Sequence, residues 1–455
     1  MKPNKVAIKK NQEYIVEIKD VGFEGEGIAK IDNYTIFIKN ALKGEKVRIV
    51  VTKVLSSYGY GKILEIIEKS LSRVQPDCSI YTKCGGCSLR HTTYENTLLI
   101  KQNIVQSLVN KTLQNKVQVG STVGMEEPFN YRNKAIFPVG IDETGKKVIG
   151  TFQERTHNIL ETDKCLIQDT QSEKIAKEIF KLWNENKQNT IYNEKTEKGN
   201  LRHIIIKKGF STNEYMCILV TKEKNKIDFN IKLLLEIYPN IKTIIQNINV
   251  KNSNVILGNM NVNIYGNGYI LDKLGENIFK ISPNSFYQVN HIQTLKLYNL
   301  AVEAANITKE DVVFDLYSGI GTIAIFMAKY AKEVYGIEIV EEAVKMANEN
   351  VKLNNIKNSK FIAGDVEVEL DKLLSKKVIP EVVMIDPPRK GLDNKSIENL
   401  LKVYPKKLVY ISCNPATLVR DLAKLEDKYK VENITPVDMF CFSHHIEPVC
   451  VLERR

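Results

Sequence analysis

The sequence predicts an α/β protein. A doubly wound, Rossmann-like parallel sheet should occupy the last third, after an N-terminal OB-like β-barrel and a β-rich central segment. Three observations lead there. After about residue 290, short apolar runs alternate with helical ones, as in "VVFDLY", "TIAIFMAKYA", "EVYGIEI" and "EEAVKMANENVKLNN". Residues 12–66 alternate β-rich runs with Gly-containing breaks, which suits five short strands closed into a small barrel. From about 130 to 285 further β-rich runs follow, interrupted by a helix near 170–186.

The chain has 455 residues, enough for about three domains at roughly 150 residues each. The expected division is a barrel over 6–66, a central β-rich domain over 67–93 and 120–285, and the sheet domain over 286–455. The breaker-free stretch 94–115 reads as an amphipathic helix packed on the last of these. No apolar run approaches the ~18 residues of a membrane span, and the basic N-terminus lacks the apolar segment of a secretory signal, so a cytoplasmic location is expected. The 65 basic residues exceed the 54 acidic ones, a net charge of +11, which favours a polyanionic partner such as nucleic acid.

In doubly wound sheets ligands bind beyond the carboxyl ends of the strands. The tips of successive runs are informative by that rule. "DLYSGIGTIA" (315–324) follows the first strand, with glycines that permit a tight turn and close approach to a ligand. The second run ends at Glu338, where a carboxylate can take ribose hydroxyls, and the fourth ends at Asp386 in "IDPPRKGL". The fifth ends at Cys413, with Asn414 suited to cap a helix and Pro415 to its first position. A helix N-terminus favours a thiolate, so Cys413 reads as a nucleophile; a small apolar residue at a strand end is the alternative. The acidic Asp315 before the glycine turn, Glu338 ending the next strand and Asp-Pro-Pro after the fourth resemble S-adenosylmethionine-dependent methyltransferases. For such an enzyme a strand-tip thiolate suits a pyrimidine C5, too weak a nucleophile to take a methyl group until a thiolate adding at C6 makes it enolate-like. The C5 proton must then leave, and "SHHIEPVCVL" offers Glu447 as base, with His444 and His445 as rivals. Glu447 faces Cys413 if the last strand runs antiparallel.

The eight cysteines in a long chain without a secretory signal suit metal or catalysis better than disulfides. "CSIYTKCGGC" places Cys78, Cys84 and Cys87 in one loop, with Cys165 as a fourth ligand; the set can hold zinc or a [4Fe–4S] cluster.

"SFYQVN", "DLYSGIGT", "IDPPRKGL", "YISCNPATLVRD" and "HIEPVCVLE" together resemble the S-adenosylmethionine-dependent RNA uracil-5-methyltransferases. The N-terminal barrel resembles the TRAM RNA-binding module, and the cysteine loop the iron–sulfur site of the bacterial 23S ribosomal RNA branch. The resemblance implies that Cys413 is the nucleophile and Glu447 the proton-removing carboxylate. It places Gln288, Tyr317, Glu338 and Asp386 on S-adenosylmethionine, with Thr322 and Asp365 as further contacts. It assigns a [4Fe–4S] cluster to the four cysteines and sets Phe286 beside the target base, although a core phenylalanine is the alternative there. Arg132 and Lys134 in "NYRNKAIFPV" match a segment facing RNA, and Arg202 is a weaker candidate. The implied substrate is a single-stranded or loop uridine of 23S ribosomal RNA, flipped out of its stack. A transfer RNA uridine fits the same catalytic motifs, and a non-catalytic RNA-binding assembly factor is the reading from another class.

Overall fold

The computed structural model describes residues 8–224 and 227–455. Residues 6 and 7, the start of the expected barrel span, lie outside the described residues.

The first sheet has six strands: β1 (Glu13–Glu17), β2 (Asp20–Val21), β3 (Gly27–Ile31), β4 (Tyr34–Ile38), β5 (Lys46–Val54) and β6 (Tyr58–Glu68), in the order β1-β5-β6-β4-β3-β2. The sequence suggested five. The sixth, β2, is two residues long and too short to show alternation. Alternate residues of β4 and β5, including Ile36, Ile38, Val47, Ile49 and Val51, are fully buried and fill the barrel.

The cysteine loop follows, then helix α1 (Tyr94–Thr112), whose N-cap Thr93 accepts the Asn96 N–H. A second six-stranded sheet contains β7 (Lys134–Ile141) and β8 (Lys147–Ile149). The ribbon β9 (Thr151–Phe152) and β10 (Ile159–Leu160) and helix α2 (Thr170–Glu185) come next. The sheet is completed by β11 (Leu201–Gly209), β12 (Glu214–Thr221), β13 (Ile241–Ile248) and β14 (Met260–Gly266), with α3 (Ile231–Ile237) between β12 and β13. A hairpin, β15 (Ile270–Leu274) and β16 (Asn277–Ile281), leads to α4 (His291–Ala305).

The third sheet is built from β17 (Val312–Leu316), β18 (Glu333–Glu338), β19 (Ser359–Ala363), β20 (Val382–Ile385), β21 (Lys407–Ile411), β22 (Tyr429–Val437) and β23 (Glu447–Arg454). The helices between them are α5 (Thr322–Ala328), α6 (Glu341–Leu353), α7 (Val366–Ser375), α8 (Asn394–Val403) and α9 (Pro415–Leu425). The order is β19-β18-β17-β20-β21-β23-β22, and the strands from β17 to β21 are parallel. β23 alone is reversed, pairing antiparallel with both β21 and β22. Because successive side chains of a strand point to opposite faces, Phe314, Leu316, Ile385 and Tyr410 enter one core, while Val313, Met384, Val409 and Ile411 enter the other. The switch in strand order lies between β17 and β20, where such sheets bind ligands.

Helix α1 closes the first core: Val105 and Val109 join Leu418 and Leu422 of α9. It is locked there by an ion pair between Lys101 and Asp438, both side chains fully buried. Asp438 also accepts the Tyr94 hydroxyl at 2.7 Å, and Lys101 donates to the Phe440 carbonyl at 3.1 Å. Removing one partner of a buried pair leaves an uncompensated charge, at a cost of about 3–5 kcal/mol. Asp438→Ala should therefore lower the melting temperature by many degrees. Glu161→Ala, which breaks the exposed Lys146–Glu161 pair, should barely move it. Equal effects of the two in thermal melts would show that the buried pair does not lock α1.

Candidate active site

The carboxyl edge of the third sheet gathers the reactive tips. Leu316 ends β17, and Tyr317 follows in the left-handed region at φ 67°, uncommon for a bulky side chain. The backbone N–H groups of Tyr317 and Ser318 both donate to the Ile337 carbonyl, at 3.0 and 3.1 Å, and hold the turn against β18. Gly319 follows at φ 55° with no heavy atom within 4 Å of the position a Cβ would take, so the turn faces open space. Its N–H donates to Glu338 Oε2 at 3.0 Å, and Val340 N–H donates to Oε1 at 2.9 Å. Glu338 thus reaches the edge with its orientation set by backbone. Thr322 opens α5, its hydroxyl 3.0 Å from that of Tyr298. Asp365 caps α7 at the end of β19, accepting the Glu367 N–H at 2.9 Å. Gln288 is buried just before α4, and its carbonyl accepts Asn133 Nδ2 at 2.9 Å.

Asp386 and Cys413 end neighbouring strands, and α9 clamps their loops together. Asn414 Nδ2 donates to the Arg389 carbonyl at 3.2 Å. Arg420 Nη2 donates to the carbonyls of Lys390 and Leu392 at 2.9 and 3.0 Å. Asp421, buried at the base, accepts the Leu392 N–H and the Tyr410 hydroxyl, each at 2.8 Å. Asn414 is the N-cap of α9, its Oδ1 accepting the Ala416 N–H at 3.1 Å, and Pro415 takes the first position.

The reversed strand completes the edge. Ile411 pairs with Val449, and Ser412 N–H donates to the Pro448 carbonyl at 3.1 Å, so the register runs on to set Glu447 alongside Cys413. Glu447 is 4 % exposed, and its Oε2 has no hydrogen-bond partner among the described residues. Desolvation first, then the Asp386 charge, pushes its carboxyl up to about 8, against a smaller opposing pull from Arg389. Asp386, partly buried at its strand tip, is pushed up to about 7 by desolvation. Asp315, buried below, is raised well above the carboxylate range by burial and by Asp386. It accepts the Ala324 N–H at 3.0 Å through Oδ2, while Oδ1 is unpartnered. Asp315 is the acidic residue before the glycine turn, one of the features by which the sequence resembles methyltransferases, although its burial beside Asp386 was not legible there.

The thiol of Cys413 departs from expectation. Its helix N-terminus favours a thiolate, yet burial and then the Glu447 and Asp386 charges raise it above the ordinary thiol value, with Arg389 acting the other way. Asp315, Asp386 and Glu447 gather at this edge, two of them with an unpartnered oxygen and with Arg389 as the opposing charge. S-adenosylmethionine, a sulfonium cation with ribose hydroxyls, fits Glu338, Asp386 and the open turn at Gly319.

The remaining candidates fall into separate places. Phe286 is 71 % exposed, which excludes the core alternative. It rises from a turn whose Ser282 and Ser285 carbonyls each accept the Lys207 ammonium at 2.9 Å. Lys134 borders the same small cavity as Phe286. Arg132 does not join them: it lines the cavity of the cysteines, and its Nε is buried without a partner. Arg202 is buried, donating to the carbonyls of Asn249 and Lys251 at 3.0 and 2.7 Å, a structural role. His444 engages Ser88 at 3.1 Å, and burial lowers both His444 and His445.

Cys78, Cys84, Cys87 and Cys165 line one cavity of about 100 Å³. Among the described residues no three His, Cys, Asp or Glu side chains converge closely enough for a single metal ion. Burial and then the neighbouring Cys165 push the Cys87 thiol up to about 12.

A family model described as tRNA (Uracil-5-)-methyltransferase matches residues 267–455, and a TRAM domain model matches 8–64. An uncharacterized RNA methyltransferase of Clostridium acetobutylicum is 46% identical, the alignment covering 99% of this chain and 98% of the relative. One from Staphylococcus aureus is 41% identical over 98% of this chain and 99% of its own length. Among solved structures, the Pyrococcus abyssi tRNA (uracil-54, C5)-methyltransferase in complex with S-adenosyl-L-homocysteine is similar, with a TM-score of 0.77 at 26% identity. That alignment covers 96% of this chain and all of the other. The chain therefore belongs to the S-adenosylmethionine-dependent RNA methyltransferases that join an N-terminal TRAM domain to a (uracil-5-)-methyltransferase domain.

Proposed function

We propose that the protein methylates C5 of a uridine in 23S ribosomal RNA, in the cytoplasm, with Cys413 as nucleophile and Glu447 as base. The observation that carries the chemistry is the pairing of β21 with the reversed β23, which sets the thiol beside the carboxyl at the ligand-binding edge. Supporting the ribosomal substrate is the resemblance of the barrel and cysteine loop to that branch of the family. The transfer RNA reading has its own support: the similar Pyrococcus abyssi enzyme is named for a tRNA uracil. Mapping 5-methyluridine in cells lacking the protein separates the two. Loss from 23S RNA supports the first, and loss from transfer RNA alone overturns it.

In this reading Phe286 and Lys134 meet the extruded nucleotide. Gln288, Tyr317, Thr322, Glu338, Asp365 and Asp386 hold the cofactor. When bound, S-adenosylmethionine supplies an electrophilic methyl group on a cationic sulfur. Cys413 gives its proton to the neighbouring Asp386, leaving Glu447 ionised, and adds to C6, and the C5=C6 electron pair moves toward the C4 carbonyl. C5 then takes the methyl group. Glu447 removes the C5 proton; that electron pair re-forms C5=C6, and the Cys413 sulfur leaves as thiolate. Positive charge beside Asp386 and Glu447 offsets their repulsion and favours the ionised forms the sequence of steps needs.

The four cysteines are proposed to hold a [4Fe–4S] cluster. The four cysteines line one cavity, where four thiolates could hold zinc or a [4Fe–4S] cluster, and the resemblance of the loop to the iron–sulfur branch of the family favours the cluster. Anaerobically purified protein should be brown and contain about four irons, and Cys165→Ala should lose them. Colourless protein with stoichiometric zinc would refute the cluster.

Cys413→Ala should reduce methylation by about 10³-fold or more and abolish the covalent adduct with 5-fluorouridine RNA, read on denaturing gels. Glu447→Gln should still transfer the methyl group and accumulate a methylated covalent complex; normal turnover would remove Glu447 from the mechanism.

A carboxyl whose folded-state value is raised prefers its proton when folded, so the stability it favours is lost as pH rises through that value. With Glu447 at about 8 and Asp386 at about 7, the cofactor-free protein should lose stability between about pH 4.5 and 8. Glu447→Gln should flatten the decline in thermal melts. A variant that declines as steeply as the natural protein would show that Glu447 does not carry the effect.

A further inference from the structure

The segment from Asp438 to Ile446 joins β22 to β23 and so delivers Glu447. Its ends are held by the sheet. At its middle, Phe442 lies at φ 62°, a conformation that a bulky residue keeps only where its surroundings impose it. The surroundings are the cysteine loop. The N–H groups of Ser88 and Leu89 both donate to the Phe442 carbonyl, at 3.0 and 2.8 Å. Ser88 Oγ accepts the His444 N–H at 2.8 Å and lies 3.1 Å from His444 Nδ1. The Phe442 ring is fixed under the Arg90 guanidinium, 4.3 Å away, and against Tyr94 and Phe129, each at 5.5 Å. Two residues directly after Cys87 therefore hold the connection that carries the base, across 356 residues of sequence.

Glu447 opens β23, where its backbone pairs with Val437 of β22. Its Oε2 accepts no hydrogen bond, so the place of the carboxylate follows from its backbone. The sheet sets the strand's register, while the angle at which its first residue emerges depends on the segment before it.

We propose that Ser88 is a positioning residue for the proton-removal step: it clasps residues 442–444 and thereby sets where the Glu447 carboxylate meets the C5 proton. The inference rests on the reading of Glu447 as base. In that step the C5–H bond breaks, the proton passes to the carboxylate, the freed pair re-forms C5=C6, and the C6–S bond releases the Cys413 thiolate; no further reactant is needed. Methyl transfer comes earlier and does not use this carboxylate. A misplacement on the order of 1 Å can cost about 10²-fold in rate, so loss of part of the clasp should slow release selectively. The cysteine loop acquires a catalytic consequence by this route, without any contact with substrate.

The test uses full-length holoenzyme and RNA in single turnover with methyl-labelled cofactor, timing label entry into RNA separately from release of free methylated RNA. Ser88→Ala removes both Oγ contacts. It should leave label entry within about twofold, slow release about tenfold and build up the methylated covalent complex. Ser88→Thr, which keeps the hydroxyl, should restore release. Glu447→Gln is run in parallel. If it traps the complex while Ser88→Ala releases at the natural rate, the clasp is overturned and the base stands. If Ser88→Ala slows both phases equally, with a matching fall in melting temperature, Ser88 is structural only and the clasp is again overturned. If Glu447→Gln traps nothing, the reading of the base falls and takes the clasp with it.

Discussion

The pairing of one reversed strand with its parallel neighbours is the constraint on which the rest depends. In a fully parallel sheet the residue opposite Cys413 would come from another strand's carboxyl end, after a crossover helix. Here β23 returns directly beside β21, and its first residue lies where every other strand has its last. The nucleophile and the base are thus held by a ladder of backbone hydrogen bonds rather than by two mobile loops. The clamp of α9 on the Asp386 loop serves the same end on the other side, because Asn414, Arg420 and Asp421 bind that loop to the helix that follows the thiol.

This rigidity has an electrostatic cost. Asp315, Asp386 and Glu447 are brought together with little solvent and with Arg389 as a partial counter-charge. The cleft is ill-suited to being empty and well suited to a cation.

Much of this was legible in the sequence, for physical reasons that are specific. Strand tips could be located because apolar runs end where the chain must turn, and parallel connectivity sends those tips to one edge. Asn414 and Pro415 announced a helix start, and both occupy the cap positions. Other features were hidden. The two-residue β2 has no periodicity to read. The upward shift of Cys413 comes first from burial and then from Glu447 across the sheet and Asp386 on the next strand, none of which the local sequence shows. Arg132 and Lys134 are two residues apart yet border different cavities, because Lys134 opens β7 while Arg132 lies before that strand and bridges instead to Gln168 and Asn290.

The placement of α1 has a consequence for how the chain is made. This helix leaves the ribosome long before the strands it covers, since Val105 and Val109 pack with Leu418 and Leu422 of α9. Ile100 and Ile104 find Leu42 and Leu89 early, but until synthesis is nearly complete Val105, Val109 and the Lys101 charge lack their late native partners, Asp438 being among the last residues added. The nascent protein must therefore keep those residues shielded while later segments emerge, which exposes it to chaperone capture in the interval. Closure of the first core is a late, long-range event rather than a step completed segment by segment.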